Sequence, residues 1–562
     1  MLDRIKGMKK PKLRGLLYTK LHHEEQQPQQ QTRAGQVLTA MRKNGHPKFI
    51  IAPSRSLITL PPSNEVRTGS FVYPLIKPYA YASIKYDTKE NSMVYDVIEP
   101  KLDEKEIYIL NKLRDGLIQI IDVSLGDIKD KGKIMIFLEK NIERLIDEYN
   151  FKLSPKEYVK IMYYIFRDLV GLNRIEPLLN DPYIEDIGCD GQGVPVYVVH
   201  QKFGSVKTSV IYTDTKELRE FVTKLAERCD RYISYADPLL DGTLPDGARV
   251  QASLASDVTT RGPTFSIRKF KEEPLSPVDM IRLNTASAEM LAYLWYMMES
   301  GVNILIAGGV ATGKTSLLNS ISFFIPPEAK IVSIEDTREL NLPHENWIPG
   351  VARTGFTGTG VGEVTMYELL RESFRQNPDY LIVGEIRGKE AYVMFQGMAS
   401  GHPSISTMHA GSVDDLMKRL QTKPINLSAG LIESLDMVIV MVHAREKGKS
   451  ARRVKEIVEI ESIDINSGMP LTIKSFVWLP ADDKFEYRGN SWLISKVSSE
   501  KGIPVNVITK EIGKRRKFLT WLWDNNISSM KEIGKYMALY YRNPDKINRL
   551  LLGGKPQGEE YE

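Results

Sequence analysis

Two cysteines, Cys189 and Cys229, are all the chain contains. That scarcity excludes a disulfide framework and a four-cysteine zinc module, and it suits a reducing compartment. No stretch approaches the ~20 consecutive apolar residues that a bilayer-spanning helix needs. The first residues carry lysines but no apolar core, so no secretory signal is expected there. A guanine-reading [NT]KxD segment is missing, which disfavours a GTPase. An aromatic–basic groove for nucleic acid is also missing. Histidine is scarce, with eight in 562 residues, and the formal charge of +5 is too small to point to an acidic partner. The remaining composition, 42% hydrophobic and 26% charged, is that of a globular protein long enough for three or four units.

Against that background one stretch stands out. Residues 303–315 read NILIAGGVATGKT. An apolar strand leads into a glycine-rich loop, and Lys314 and Thr315 open a helix. Gly308, Gly313, Lys314 and Thr315 fit the phosphate-loop pattern G-x4-G-K-[ST]. In such a loop backbone N–H groups turn inward around phosphates, and the positive helix end faces the anion. The whole loop is therefore the expected nucleotide cradle: Gly308, Gly309, Val310, Ala311, Thr312, Gly313, Lys314, Thr315 and Ser316. Lys314 is expected to reach the β- and γ-phosphates, and the Thr315 hydroxyl to ligate Mg²⁺. ATP and Mg²⁺ are the expected cofactors.

Three further clusters fall at the ends of expected strands, where a phosphate-loop fold builds its site. IVSIEDTREL (331–340) puts Glu335 and Asp336 after one strand. YLIVGEIRG (380–388) puts Glu385 after another, with Gly384 where many nucleotide hydrolases carry aspartate. GHPSISTMHA (401–410) holds His402 and His409, either as structural histidines or as site residues. No third ligand accompanies them, so no zinc site is expected. Hydrolysis needs a carboxylate to orient water and a cation for the transferring phosphoryl group. Glu335 and Glu385 are the candidate carboxylates, and Glu385 is also a candidate metal ligand. Arg249, Arg261 and Arg268 are the candidate cations, reaching a γ-phosphate across a domain or subunit boundary; a solvated face is the alternative.

The expected fold class is α/β. Residues 1–60 form a tail, basic at Lys9, Lys10, Lys12 and Arg14 and polar in EEQQPQQQ (24–31). Residues 61–150 are a strand and helix extension. Residues 151–270 are an α+β domain whose first helix starts at the capping box Ser154 to Glu157 and runs to Val170. KEEPLSP (271–277) is a linker. Residues 278–445 alternate helices with strands at 303–307, 331–335, 380–384, 404–408 and 437–442, which implies a mostly parallel sheet. Residues 446–562 are a C-terminal subdomain.

The ordered set GGVATGKTS (308–316), IEDTREL (334–340), RQNPDYLIVGEIRGKEA (375–391) and GHPSISTMHA resembles the Walker A, aspartate box, Walker B and histidine box of the type II/type IV secretion ATPases. GLNRIEPLLNDPYIEDIGCDG (171–191) and FSIRKF (265–270) match that family too, and the likeness spans roughly residues 70 to 545. LPHENW (342–347), IEPKL (98–102) and RKFLTWLWDNNI (516–527) resemble archaeal pilus and archaellum motors. The resemblance implies a RecA-like phosphate-loop core with a separate α+β N-terminal domain and an archaeal-type N-terminal extension. It implies a homo-oligomeric ring, a hexamer, on the cytoplasmic side of a membrane, held there by a polytopic platform protein. It implies that Glu335 activates water, that Glu385 supports Mg²⁺, and that His402 and His409 couple the γ-phosphate to domain movement. Arg249, Arg261 and Arg268 would be arginine fingers or interface sensors. The family function is ATP-driven assembly of a type IV pilus-like filament, or secretion. The alternative is a nucleic-acid-translocating ATPase on the same core, permitted by the basic runs Arg452-Arg453 and Lys514 to Lys517; nucleic acid is not the expected partner.

Overall fold

The computed structural model describes residues 46–53, 70–120, 131–270, 273–353, 362–446, 449–464 and 468–552. Most of the expected tail, 1–45 and 54–60, lies outside these residues, as do 271 and 272 of the expected linker. Residue 277 of that linker already opens a helix, Pro277–Arg282, capped by Ser276. The chain divides into two compact units, Met1–Lys269 and Phe270–Glu562.

In the first unit the strands are β1 (Ala52–Pro53), β2 (Ser70–Lys77), β3 (Ala80–Asp87), β4 (Ser92–Ile98), β5 (Ile184–Cys189), β6 (Pro195–His200), β7 (Gly204–Ile211), β8 (Leu239–Thr243), β9 (Arg249–Ser253) and β10 (Thr264–Arg268). They form one sheet in the order β1-β2-β3-β4-β7-β6-β5-β10-β9-β8. The β4–β7 pairing joins residues below 150 to residues above it, so the sheet runs through the boundary expected from sequence. A buried carboxylate reinforces this join. Asp181 accepts hydrogen bonds from the Tyr73 and Tyr95 hydroxyls at 2.5 and 2.6 Å and from the Tyr183 N–H at 2.8 Å. The Ser154 capping box is present, with Glu157 reaching back to the Ser154 N–H at 2.7 Å. Its helix is regular over Pro155–Ile165 and widens to a π-turn at Phe166–Val170.

The second unit is α/β. Its strands are β11 (Ile304–Gly308), β12 (Ile331–Glu335), β13 (Trp347–Val351), β14 (Tyr380–Val383), β15 (Ser404–His409), β16 (Met437–Glu446), β17 (Lys449–Ile463), β18 (Pro470–Leu479) and β19 (Lys484–Tyr487). The order is β13-β12-β14-β15-β11-β16-β17-β18-β19. The first six in that order are parallel; the last three join antiparallel. Strands β11, β12 and β14 are buried throughout, as strands covered on both faces must be. Alternate residues feed the two faces: Ile304 and Ile306 enter one apolar cluster, Leu305 and Ala307 the other. The expected start of a separate subdomain at 446 falls at the end of β16, and β17 continues the same sheet.

The C-terminal helices are anchored into this unit. The Trp295 indole N–H donates to the Tyr541 hydroxyl at 2.7 Å, and its ring packs on Phe324 and Tyr540. Arg515 lies buried over Trp295 and pairs with Glu299 at 2.6 Å. Arg453 is fully buried and pairs with Asp483, which also accepts from Trp478 and Asn284. These bonds, Arg453 first, hold the Asp483 carboxyl down at about 2. No described helix is long and apolar enough to cross a membrane.

Removing one partner of a buried pair leaves the other charge uncompensated. Asp483→Ala is expected to destabilise the protein by about 3 kcal/mol in chemical denaturation. The contribution is present above about pH 4 and is lost as pH falls through about 2, because the folded-state value is the depressed one. An unchanged denaturation midpoint at pH 7 would show that the pair does not anchor β17.

Candidate functional site

The parallel strands end together at one edge. Register places Gly308 beside His409 and Ile334 beside Val383, so the ends of β11, β15, β14 and β12 lie in a row. The phosphate-loop residues follow Gly308. Gly308 cannot carry a side chain: a Cβ there would stand 2.5 Å from the Thr312 hydroxyl and 2.9 Å from the Met441 carbonyl oxygen. Gly313 caps the helix Lys314–Ser322 with φ +92°, a left-handed conformation that glycine adopts without strain. The Thr312 hydroxyl donates to the Gly309 carbonyl at 3.0 Å and braces the turn. Val310 is 78% exposed, so its side chain is not what shapes the loop.

Lys314 is buried at the helix start. Its ammonium donates to the Gly308 and Gly309 carbonyls at 3.2 and 3.0 Å and lies 3.2 Å from His409 Nδ1. Burial pushes its pKa down. Burial also lowers that of His409, which favours the neutral imidazole. An ammonium has only protons to give, so Nδ1 accepts and Nε2 carries the hydrogen. Nε2 lies 3.0 Å from Glu385 Oε1, within ion-pair distance but off the line of a hydrogen bond. The other Glu385 oxygen accepts from Arg387 at 2.5 Å, and Arg387 lies 4.0 Å from Asp336. A polar chain therefore runs Lys314, His409, Glu385, Arg387, Asp336 along the strand ends.

Glu335 ends β12 and is 1% exposed. One oxygen accepts from the N–H groups of Glu339 and Leu340 at 2.8 and 2.9 Å; the other is buried and accepts no hydrogen bond. Burial outweighs those two bonds and lifts its pKa to about 7. The glycine at 384 now has a physical reason. A Cβ there would lie 3.1 Å from Glu335 Cγ, so the Glu335 side chain fills the space that an aspartate would need.

The donors at this edge, the Thr315 hydroxyl and the Glu335 and Glu385 carboxylates, are hard oxygens. They suit Mg²⁺, which takes one or two protein oxygens and completes its shell with phosphate and water. Glu385 Oε1, buried and accepting no hydrogen bond, is the observation that favours this fit.

Within this unit one sequence candidate, His402, is not gathered at the strand ends. His402 precedes β15, seven residues from His409, so about 23 Å of extended chain separates them. It packs edge-on against Phe374 and lines a surface cavity of about 680 Å³ with Tyr367, Arg371 and Tyr392. In the first unit, Arg249 and Arg268 stand directly opposite each other on β9 and β10. Arg261 lies at the other end of that hairpin, where its carbonyl accepts from the Gln192 N–H at 2.9 Å. Conversely, sequence assigned no role to Arg387 or His443, and read Arg452 only as part of a basic run permitting nucleic acid; the His443 and Arg452 side chains bond the Val310 and Ala311 carbonyls. The spacing Glu385-x-Arg387 was the only available signal for the first; the other two need the hairpin register.

Gly384→Asp is expected to cost about 1–3 kcal/mol in chemical denaturation, because it overpacks against Glu335. Stability equal to the parent would mean that Glu335 does not hold that space.

A family model described as type II/IV secretion system protein matches residues 171–465. An uncharacterized protein of Methanocaldococcus jannaschii is 36% identical over 474 residues, covering 80% of this chain and 83% of the relative. The type IV secretion system protein PtlH of Bordetella pertussis is 31% identical over 321 residues, 51% of this chain and 93% of PtlH. The crystal structure of the VirB11 ATPase from the Brucella suis type IV secretion system, in complex with sulphate, is 25% identical, covers 50% of this chain and 92% of that one, and superposes with a TM-score of 0.26. The chain belongs to the type II/IV secretion system protein family.

Proposed function

We propose that this chain is an ATPase that hydrolyses ATP on a RecA-like core to power assembly of a type IV pilus-like filament, or secretion, through a membrane platform protein. The observation that carries the reading is Glu335: a buried carboxylate at a strand end, titrating near 7, with one oxygen unengaged, on the edge that also holds Lys314. A general base works best when its pKa lies near the operating pH.

In this reading the loop residues Gly308 to Ser316 wrap the phosphates, and Lys314 exchanges its carbonyl contacts for β- and γ-phosphate oxygens. Thr315 and Glu385 hold Mg²⁺, which would neutralise phosphate charge. Glu335 orients the attacking water and takes its proton. His409 is tied to Lys314 on one side and Glu385 on the other, so a shift of the Lys314 ammonium toward phosphate is felt at Glu385 and Arg387. Arg249 and Arg268 supply cations to the site of a neighbouring copy, which makes the working form a homo-oligomeric ring, a hexamer. Such a ring would sit peripherally on the cytoplasmic face of the membrane. A nucleic-acid motor is supported less well, because Arg453 and Arg515 in the two basic runs are buried in ion pairs.

Glu335→Gln is expected to lower the hydrolysis rate about 10²-fold or more while ATP still binds. For the parent, kcat/KM is expected to rise with pH through about 7, since the base must lose its proton. Arg268→Ala is expected to abolish the rise of specific activity with protein concentration. Steady-state hydrolysis assays with a nucleotide-binding titration check all three. Parental turnover by Glu335→Gln would sink the assignment of the base; a rate per subunit indifferent to concentration would sink the shared site.

A further inference from the structure

The phosphate-loop residues are held from outside by the β16–β17 hairpin. His443 and Arg452 are direct cross-strand partners, so their side chains leave the hairpin on one face. His443 Nε2 lies 3.2 Å from the Val310 carbonyl oxygen, and since a carbonyl only accepts, Nε2 carries the hydrogen. Arg452 Nε donates to the Ala311 carbonyl at 3.0 Å. The Arg452 stem crosses Gly313, its Cδ 3.1 Å from where a Cβ would stand, and the Met441 methyl reaches the same place at 3.7 Å. The next residue along the strand, Arg453, is locked to Asp483, which fixes the position of Arg452.

A trans peptide is planar, and its carbonyl and N–H point in opposite directions. Pulling the carbonyls of residues 310 and 311 toward the hairpin therefore turns the N–H groups of 311 and 312 away from it, into the curl of the loop. Ala311 sits between the two bonds with φ +58°, a conformation that costs an alanine about 1–2 kcal/mol and persists only where its surroundings impose it. We infer that Arg452 and His443 are positioning residues of the phosphate loop, holding the Ala311 and Val310 carbonyls outward so that the Thr312 and Ala311 N–H groups are aimed at the nucleotide phosphates. The inference rests on the nucleotide-binding reading above and extends it to the far side of the sheet: nucleotide affinity is set in part by a hairpin that touches no phosphate.

The test is titration of full-length protein with fluorescent ATP and ADP analogues, and kcat at saturating ATP, for the parent, Arg452→Met, Arg452→Lys and His443→Phe. Backbone N–H groups of the loop serve phosphates that ATP and ADP share. Arg452→Met is therefore expected to weaken both nucleotides about tenfold, the worth of one hydrogen bond, with kcat within about twofold of the parent. Arg452→Lys, which can still donate to the carbonyl, is expected to recover most of the affinity, and His443→Phe to repeat the joint loss. Should Arg452→Met fail to fold, His443→Phe alone decides. Parental affinity in both variants would overturn this inference while leaving the nucleotide-binding reading intact. So would a loss confined to ATP, which would make Arg452 a direct γ-phosphate contact. A parent protein that binds neither nucleotide would overturn both.

Discussion

Everything at the candidate site depends on four parallel strands ending at the same edge. In a parallel sheet all strands present the same end, so residues far apart in sequence meet wherever their strands stop. Gly308, Glu335, Glu385 and His409 are drawn together in this way, each from the end of a strand or the residues just beyond it. Along their length β11, β12, β14 and β15 carry apolar residues and hydroxyls, such as Ser333 and Ser406, so their ionisable groups Glu335 and His409 fall at the strand ends.

Confinement to that edge explains the electrostatics. Lys314, His409 and Glu335 each lose solvation, and each moves toward its neutral form: the two bases downward, the acid upward. Burial thus works against the charged form of each of these groups. Bringing in polyphosphate and a divalent cation reverses the balance. Phosphate oxygens favour the charged ammonium, and a cation favours the charged carboxylate. Ligand binding and ionisation of these groups should therefore be coupled.

Strands β11, β12, β14 and β15 were legible because doubly buried strands are short apolar runs, and here each run stops at a chemical motif. β13 was not, because Pro349 and Gly350 interrupt its short apolar run; on the sheet edge both are tolerated, and a Cβ on Gly350 would come within 3.1 Å of the Ser333 carbonyl oxygen. His402 and His409 looked like one cluster because ten residues seemed a short distance; a strand between them carries them to opposite edges. The Arg452-Arg453 run looked like a basic patch for the same reason. Adjacent residues of a strand point to opposite faces, so one arginine meets the phosphate loop and the other is buried against Asp483. Glu335, Glu385, Lys314 and His409 were recoverable from motif spacing alone. Residues that act through tertiary pairing, such as Arg387 and His443, were not.

The first unit shows the same principle with charge in place of burial. Across four neighbouring strands lie Asp186 on β5, Arg268 on β10, Arg249 on β9 and Asp241 on β8. Asp186, Arg268 and Arg249 occupy one cross-strand row, and Asp241 holds Arg249 from the next strand at 3.1 Å. Two arginines directly opposite on antiparallel strands repel by a few tenths of a kcal/mol to about 1 kcal/mol. The flanking aspartates offset this, but unequally: Asp241 makes a two-point contact with Arg249, whereas Asp186 stands 3.8 Å from Arg268, whose side chain is 67% exposed. An anion approaching this row would relieve the repulsion as well as gain an ion pair. Pairing each arginine with an aspartate on the adjoining strand is what lets two like charges stand opposite each other on this sheet.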